Sequence, residues 1–350
     1  MLASLTTRER VLLGVVALIV ATTAALEYGG GSDVAVFLVG ALALAGVAWV
    51  VSFSTEAVGE RFGPPLTGVL QSTLGNLPEL FVVLFALSAG ELVVAQYSIL
   101  GSLFANALLV LGLVILAGSR AAGGVMRFGR KLPNDTATLL LLAVFMISIL
   151  GVSDRVGDEA SEHQVAISVV GAVVLLAVYG VWVFFYLRDR EATGVAHGRV
   201  PLPLAIGLLA GAGVAAAFVS DWFVGALAPA IDSLGISEEF TGLVIVGIAG
   251  NAVENVVGIS LAAKGQNDLA ISVVKNSVAQ IAVFLFPLLV LLSLFLDTHL
   301  TFLLPAVYVG ALFLMAISVW QVTQDGEAVA FEGLALVGFY VILAVLTFYE

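Results

Sequence analysis

Gly75-Asn76-Leu77-Pro78-Glu79 and Gly250-Asn251-Ala252-Val253-Glu254 decide the reading of this chain. Each sets an asparagine and a glutamate inside a long apolar run, where a carboxylate is costly and usually functional. The two copies lie 175 positions apart, half the length of the 350-residue chain, which points to one unit used twice. The same offset carries Ser102 onto Ser277, so the matched spacing reaches into the following segment.

The rest of the chain is built around these runs. Hydrophobic residues make up 61% of it and charged residues 11%, with a mean hydropathy of +1.14, which excludes a soluble protein. The apolar content falls into stretches of about twenty residues, the length that crosses a hydrocarbon core ~30 Å thick. They cover 9–28, 34–53, 64–90, 92–117, 137–153, 165–187, 202–220, 238–263, 267–293, 300–320 and 330–349. The apolar stretch 222–234 is short, and extends or caps the seventh. The runs are continuous rather than alternating, which predicts helices and not a membrane barrel. The expected fold is an all-α integral membrane protein of about eleven transmembrane helices.

Orientation follows from the distribution of Lys and Arg. With the N-terminus cytoplasmic, that side receives Arg8, Arg10, Arg61, Arg120, Arg127, Arg130, Lys131, Arg188, Arg190, Arg199 and Lys264, and the other side only Arg155. An odd number of spans then puts Glu350 outside. No cleavage pattern precedes the first apolar run, so it is expected to be a retained helix. The absence of Cys removes disulfides and thiolate metal sites. A net charge of −12 with only three lysines suits a high-salt cytoplasm, where screening suppresses repulsion between surface carboxylates. The expected location is the plasma membrane of a prokaryote, with a halophile as one source and an ordinary acidic prokaryotic protein as the alternative.

If the first helix (1–30) stands alone, ten segments remain and divide into two fives, 31–187 and 201–350, separated by the polar linker 188–200. Five is odd, so the second set enters the membrane from the opposite face. That is an inverted repeat, an architecture that places substrate near the midplane at the repeat interface.

The motifs carry the chemistry of a cation site. Glycine loosens the backbone and Pro78 removes a hydrogen bond, so the third segment should bend or break near 75–78. In the eighth segment, Gly247-Ile248-Ala249-Gly250-Asn251 breaks through glycine alone. Glu79 and Glu254, the amide oxygens of Asn76 and Asn251, and carbonyls freed at the breaks form an all-oxygen set of the kind hard cations such as Ca²⁺ take. Gln96, Ser98, Ser102 and Asn106 recur about one helical turn apart, and Asn276, Ser277 and Gln280 sit in the matching later segment. Polar glue between helices is the alternative reading of the hydroxyls and amides. Three histidines, all in loops, no Cys and no Gly-rich phosphate loop leave no basis for a metalloenzyme, a redox enzyme or an ATP-driven pump.

These residues resemble the cation/proton exchangers of the cation/Ca²⁺ exchanger superfamily. Leu70-Gln71-Ser72-Thr73-Leu74-Gly75-Asn76-x-x-Glu79-Leu80 looks like that family's first signature, and Ser98-Ile99-Leu100-Gly101-Ser102-Leu103-Phe104-Ala105-Asn106 is similar to the helix after it. Phe240-Thr241-Gly242-Leu243 through Glu254, then Asn267-Asp268-Leu269-Ala270 and Gln280-Ile281-Ala282-x-Phe284, resemble the second. The resemblance implies that Glu79 and Glu254 bind the exchanged cation and protons alternately, with Asn76, Asn251, Ser102 and Ser277 as auxiliary ligands. It also implies relay or gating roles for Glu56 and Glu238 at the two mouths, and for Gln96 and Gln280. Interfacial solvation is the alternative for Glu56 and Glu238. Asn106 and Lys275 are expected to modulate the site.

The chain departs from the family pattern at four places. Pro78 gives Leu-Pro-Glu-Leu, closer to the Na⁺/Ca²⁺ exchanger branch; Asn255 stands where His is usual; Asn276 replaces a Gly; and Lys275 puts a cation where the family is apolar. These bear on ion selectivity and stoichiometry more than on fold. Lys275 is expected to face the interior, either nearing the glutamates or pairing with a carboxylate such as Asp268.

The implied function is secondary antiport, Ca²⁺ exported against H⁺ entry by alternating access, with no cofactor and no nucleic-acid partner. The rivals are Na⁺/Ca²⁺ exchange, with Na⁺ as counter-ion, a cation channel, and a structural membrane protein.

Overall fold

The computed structural model describes residues 4–59, 61, 74–188 and 199–350, apart from the side chains of Val253 and Glu254. Among these residues the chain is a multi-pass helical membrane protein, with nine helices long and apolar enough to span a bilayer. Shorter helices included, the order along the chain is α1 (Thr7–Tyr28), α2 (Asp33–Gly59), the shorter α3 (Leu77–Ser88), α4 (Leu92–Ala121), α5 (Lys131–Val156), α6 (Gln164–Arg188) and α7 (Leu202–Gly225). There follow the short α8 (Leu227–Leu234), α9 (Glu238–Gly250), α10 (Ala252–Ala263), α11 (Asn267–Ser293), α12 (Ala306–Thr323) and α13 (Ala330–Phe348). Residues 64–73 of the third expected segment and 189–198 of the expected linker lie outside the described residues.

The expected span 238–263 breaks into two helices at Asn251, where its glycines predict a break. Two boundaries differ from the sequence reading. The stretch 222–234 is divided between the end of α7 and the separate helix α8, and α8 turns through 116° into α9. The tenth span starts at Ala306 rather than at 300, because Pro305 takes φ −57° and ψ 137° and holds the chain before it extended. The amides of that extended stretch are satisfied by side chains instead: Leu300 N donates to Ser293 Oγ and Phe302 N to Ser168 Oγ.

The 175-residue offset seen in the motifs persists in the backbone. Asn76 and Asn251 adopt matching φ/ψ of −87°/11° and −101°/16°, each ending one helix and starting the next. Gly90 and Gly265, at φ 83° and 74°, make the turns that follow, positions where a side chain would be strained. α4 and α11 then begin at Leu92 and Asn267, and both carry a π-helical turn, at Ala105–Val110 and Ile281–Leu285. π turns of this kind recur at functional sites.

The crossing of α4 and α9 is the tightest packing that bears on the site. A Cβ on Gly101 would fall 2.4 Å from the Leu243 carbonyl oxygen, and one on Gly247 would fall 2.6 Å from the Gly101 carbonyl carbon. Without side chains at these two positions the backbones touch directly, as small residues allow in membranes.

At the end of the bundle rich in Arg and Lys, β1 (Val125–Arg127) pairs antiparallel with β2 (Glu327–Val329). Arg127 and Glu327 form an ion pair at 3.2 Å across this ribbon. Asn267 Nδ2 donates to the Arg127 carbonyl, and Asp268 Oδ1 accepts from Gly129 N at 2.6 Å, so the ribbon also holds the first turn of α11. Elsewhere Glu9 in the first turn of α1 accepts both guanidinium nitrogens of Arg199, tying the N-terminal helix to the start of the second half.

Candidate functional site

Each motif places its glutamate third in a new helix: Glu79 in α3 and Glu254 in α10. The exposed amides and dipole of a helix N-terminus favour negative charge there, which lowers the cost of a carboxylate at membrane depth. At the second break the Gly247 carbonyl also reaches the cluster, and discontinuous membrane helices use such freed carbonyls to coordinate ions.

Glu79 is buried, with 5% of its surface exposed, and its bonds cross from one half of the chain to the other. Ser102 of α4 donates a hydrogen bond to Glu79 Oε1. Asn251 Nδ2, fully buried, lies 2.8 Å from the same oxygen, 3.0 Å from Ser102 Oγ and 2.7 Å from the Gly247 carbonyl. Asn106 Nδ2 donates to Asn251 Oδ1 and, at 3.2 Å, to the Ser102 carbonyl. Gly250 supports the carboxylate from below, since a Cβ there would come within 3.0 Å of both Cγ and Oε1 of Glu79. The amide that meets Glu79 is therefore that of the second motif. Asn76, of the first, is buried at the break beside it.

A small cavity beside this cluster is lined by Glu79, Val83, Ser98, Ile99, Ser102 and residues of α9 and α11. It has about 10 Å³ open to the centre of a water-sized sphere, room for a single water or a bare ion of similar size. Among the described residues no three His, Asp, Glu or Cys side chains gather. The polar groups that line it are the Glu79 carboxylate and the hydroxyls of Ser98 and Ser102.

The other expected residues are more dispersed. Ser277 and Gln280 are buried on α11, with Ser277 Oγ and Gln280 Oε1 lacking a hydrogen-bond partner among the described residues. Gln96 Nε2 donates to the Leu303 carbonyl at 3.0 Å. Glu56 is exposed near the end of α2, and Glu238 is half-buried in the first turn of α9. The side chain of Glu254 lies outside the described residues. Lys275 is buried, with 2% exposed, and its ammonium lies 3.4 Å from Thr323 Oγ1 on α12; Asp268 is engaged by Gly129 instead. Residues two apart on a helix project about 200° from each other, so Lys275 faces away from Ser277.

The profile of the sodium/calcium exchanger protein family matches residues 32–188 and 204–349. The chain belongs to this family. The exchanger is 32% identical over 330 residues to the vacuolar calcium ion transporter of Schizosaccharomyces pombe, covering 90% of this chain and 79% of that one. It is 30% identical over 312 residues to the Ca²⁺/H⁺ antiporter ChaA of Bacillus subtilis, covering 83% and 86%. Its fold matches the solved structure of native YfkE with a TM-score of 0.82 at 26% identity, over 97% of this chain and all of that one. These relatives place the exchanger in the cation/proton exchanger branch of the superfamily, a group of transporters rather than catalysts.

Sequence reasoning took Gly247 and Gly250 as helix breakers and missed their packing role, with that of Gly101, in letting the two motif segments reach one carboxylate. The signal was present in Gly247-x-x-Gly250 and in Gly101 preceding Ser102. It also missed Thr323 as the partner of Lys275, for which the sequence carries no signal.

Proposed function

We propose that this protein exchanges Ca²⁺ for H⁺ by alternating access, with cation and protons competing for a midplane site shared by Glu79 and Glu254. The observation that carries the reading is Glu79: a buried carboxylate held by Ser102 of its own half and by Asn251 of the other motif. A group so placed joins the two halves through the substrate position itself. Asn76, Ser102 and Ser277 complete the oxygen set, and Asn251, whose Oδ1 accepts from Asn106 while its Nδ2 meets Glu79, joins it by turning its amide when the cation enters. Residues 31–187 and 201–350 act as two inverted five-helix repeats behind the N-terminal helix 1–30, with 188–200 as linker. Glu56 and Glu238, with Gln96 and Gln280, pass ions or protons between the site and its two mouths. The N-terminus is cytoplasmic, the C-terminus outside, and the membrane is the plasma membrane of a prokaryote living at high salt.

The test is ⁴⁵Ca²⁺ uptake into proteoliposomes under an imposed pH gradient, repeated with a Na⁺ gradient. Uptake driven by the pH gradient alone is expected; uptake driven only by Na⁺ would replace H⁺ as the counter-ion, and passive flux without a gradient would indicate a channel. Ca²⁺ binds carboxylates only after their protons leave, so protonation opposes it. Apparent Ca²⁺ affinity is therefore expected to fall about tenfold or more per pH unit as the medium is acidified through the range where the pair titrates. Affinity constant between about pH 5 and 8 would separate the two sites.

Lys275 modulates this site from the far side of α11, where its ammonium offsets part of the negative charge across a low-dielectric interior. Lys275→Ala is expected to shift the pH dependence of exchange or the charge moved per cycle. An unchanged pH profile together with an unchanged reversal potential rejects the coupling role and leaves Lys275 as a structural contact to Thr323.

A further inference from the structure

The Arg- and Lys-rich end of the bundle carries a feature that ion exchange does not use. α4 and α10 diverge there and leave an apolar groove of about 570 Å³, lined by Leu113, Leu116 and Ala117 on one side and Ile259 and Ala263 on the other. Arg120 stands at its mouth, and Lys264 follows Ala263 as the last residue of the α10 cap. Both side chains are exposed, and among the described residues neither has an ion pair or a side-chain hydrogen bond. In a chain of net charge −12, two uncommitted cations beside one groove are a local inversion of sign.

We infer that this groove is a binding site for an anionic phospholipid, one acyl chain lying against the apolar walls and the phosphate headgroup meeting Arg120 and Lys264. Depth supports this occupant. Leu113 is seven residues below Arg120, so the walls run about 10 Å from the level of the cations into the hydrocarbon. Charge supports it as well, because basic residues at the rim of a cleft between membrane helices recognise anionic headgroups, each cation near the surface being worth about fivefold in partitioning. The site bears on transport through α10, the helix that begins with the second motif. A Cβ on Gly258 would come within 3.1 Å of Val114 on α4, so α10 is already close-packed on the wall above the groove, and a bound chain fills the space into which its far end would move.

The test is native mass spectrometry of the detergent-purified full chain with phosphatidylglycerol or phosphatidylcholine, followed by exchange assays in vesicles of phosphatidylcholine with and without phosphatidylglycerol. The wild type is expected to retain one phosphatidylglycerol about 25-fold over phosphatidylcholine, from two cations at about fivefold each. Arg120→Ala/Lys264→Ala should reduce retention of phosphatidylglycerol to that of phosphatidylcholine. Ala117→Phe, which fills the groove and leaves the cations, should lower retention of both lipids. Equal retention of the two lipids by the wild type, or undiminished selectivity in the double variant, overturns the site. The chain has no native cysteine, so Ala117→Cys offers a clean check. A disulfide-linked dimer formed through it in phosphatidylglycerol vesicles would make the groove a contact between copies and likewise overturn lipid binding.

Discussion

Glu79→Gln is expected to abolish exchange while leaving the protein folded. The glutamine keeps an oxygen that can accept from Ser102 and Asn251 in place of Glu79 Oε1, and keeps the volume that Gly250 supports. It loses the charge that attracts a divalent cation and the proton that would be exchanged for it. Burial of a neutral amide costs less than burial of a carboxylate, so thermal stability in detergent should be equal to or above that of the wild type. Uptake of ⁴⁵Ca²⁺ driven by a pH gradient should fall by about 100-fold or more, equivalent to about 2.8 kcal/mol at 1.4 kcal/mol per tenfold. Glu254→Gln should behave alike. Transport at the wild-type rate by either variant would remove the shared carboxylate site, whereas loss of folded protein would show that the charge holds the halves together.

Gly247→Val should disable the protein by a different route. Its Cβ would fall 2.6 Å from the carbonyl carbon and 2.8 Å from the Cα of Gly101, both backbone atoms that move only if α4 and α9 separate. Overpacking of this kind costs about 1–3 kcal/mol. Here the cost extends to the site, because Ser102 follows Gly101 and Asn251 lies one turn beyond Gly247, with its amide 2.7 Å from the Gly247 carbonyl. Pushing the helices apart draws the two groups that hold Glu79 away from each other. Exchange should be lost and the melting temperature in detergent lowered, with Gly247→Ala intermediate. Gly211→Val supplies the control, since a Cβ there meets nothing within 4 Å. A Gly247→Val protein that melts and transports like the wild type would contradict the close crossing.

Much of this architecture is legible in the chain because lipid constrains it so strongly. Apolar runs of spanning length, the excess of cations on one side and two glutamates at half-chain spacing are each forced by the cost of polar groups in hydrocarbon. Ser102 and Asn106 were legible as one helical face, and both meet the site. The pairing of Glu79 with the asparagine of the other motif was not, since the spacing within each motif is satisfied equally well by Asn76. Nor were the π turns of α4, α9 and α11, which shift backbone hydrogen bonds without a change of composition that marks them. The extended stretch before Ala306 was hidden in an apolar run, and only Pro305 indicated it. The partner of Lys275 depends on how α11 and α12 sit side by side, which local sequence does not encode.

The small ribbon at the basic end has a mechanical consequence. Its strands come from either side of the polar linker, and they align Val125 with Val329, Met126 with Ala328 and Arg127 with Glu327. Sliding one strand by a single residue would turn buried Met126 and Ala328 outward, so the ribbon works as a vernier with one permitted setting. Because it also grips the first turn of α11, the helix carrying Ser277 and Gln280 is indexed to the same mark. Under the proposed alternating access, rocking between the halves would have a datum at this end, and tilt rather than slip would be the displacement left to them.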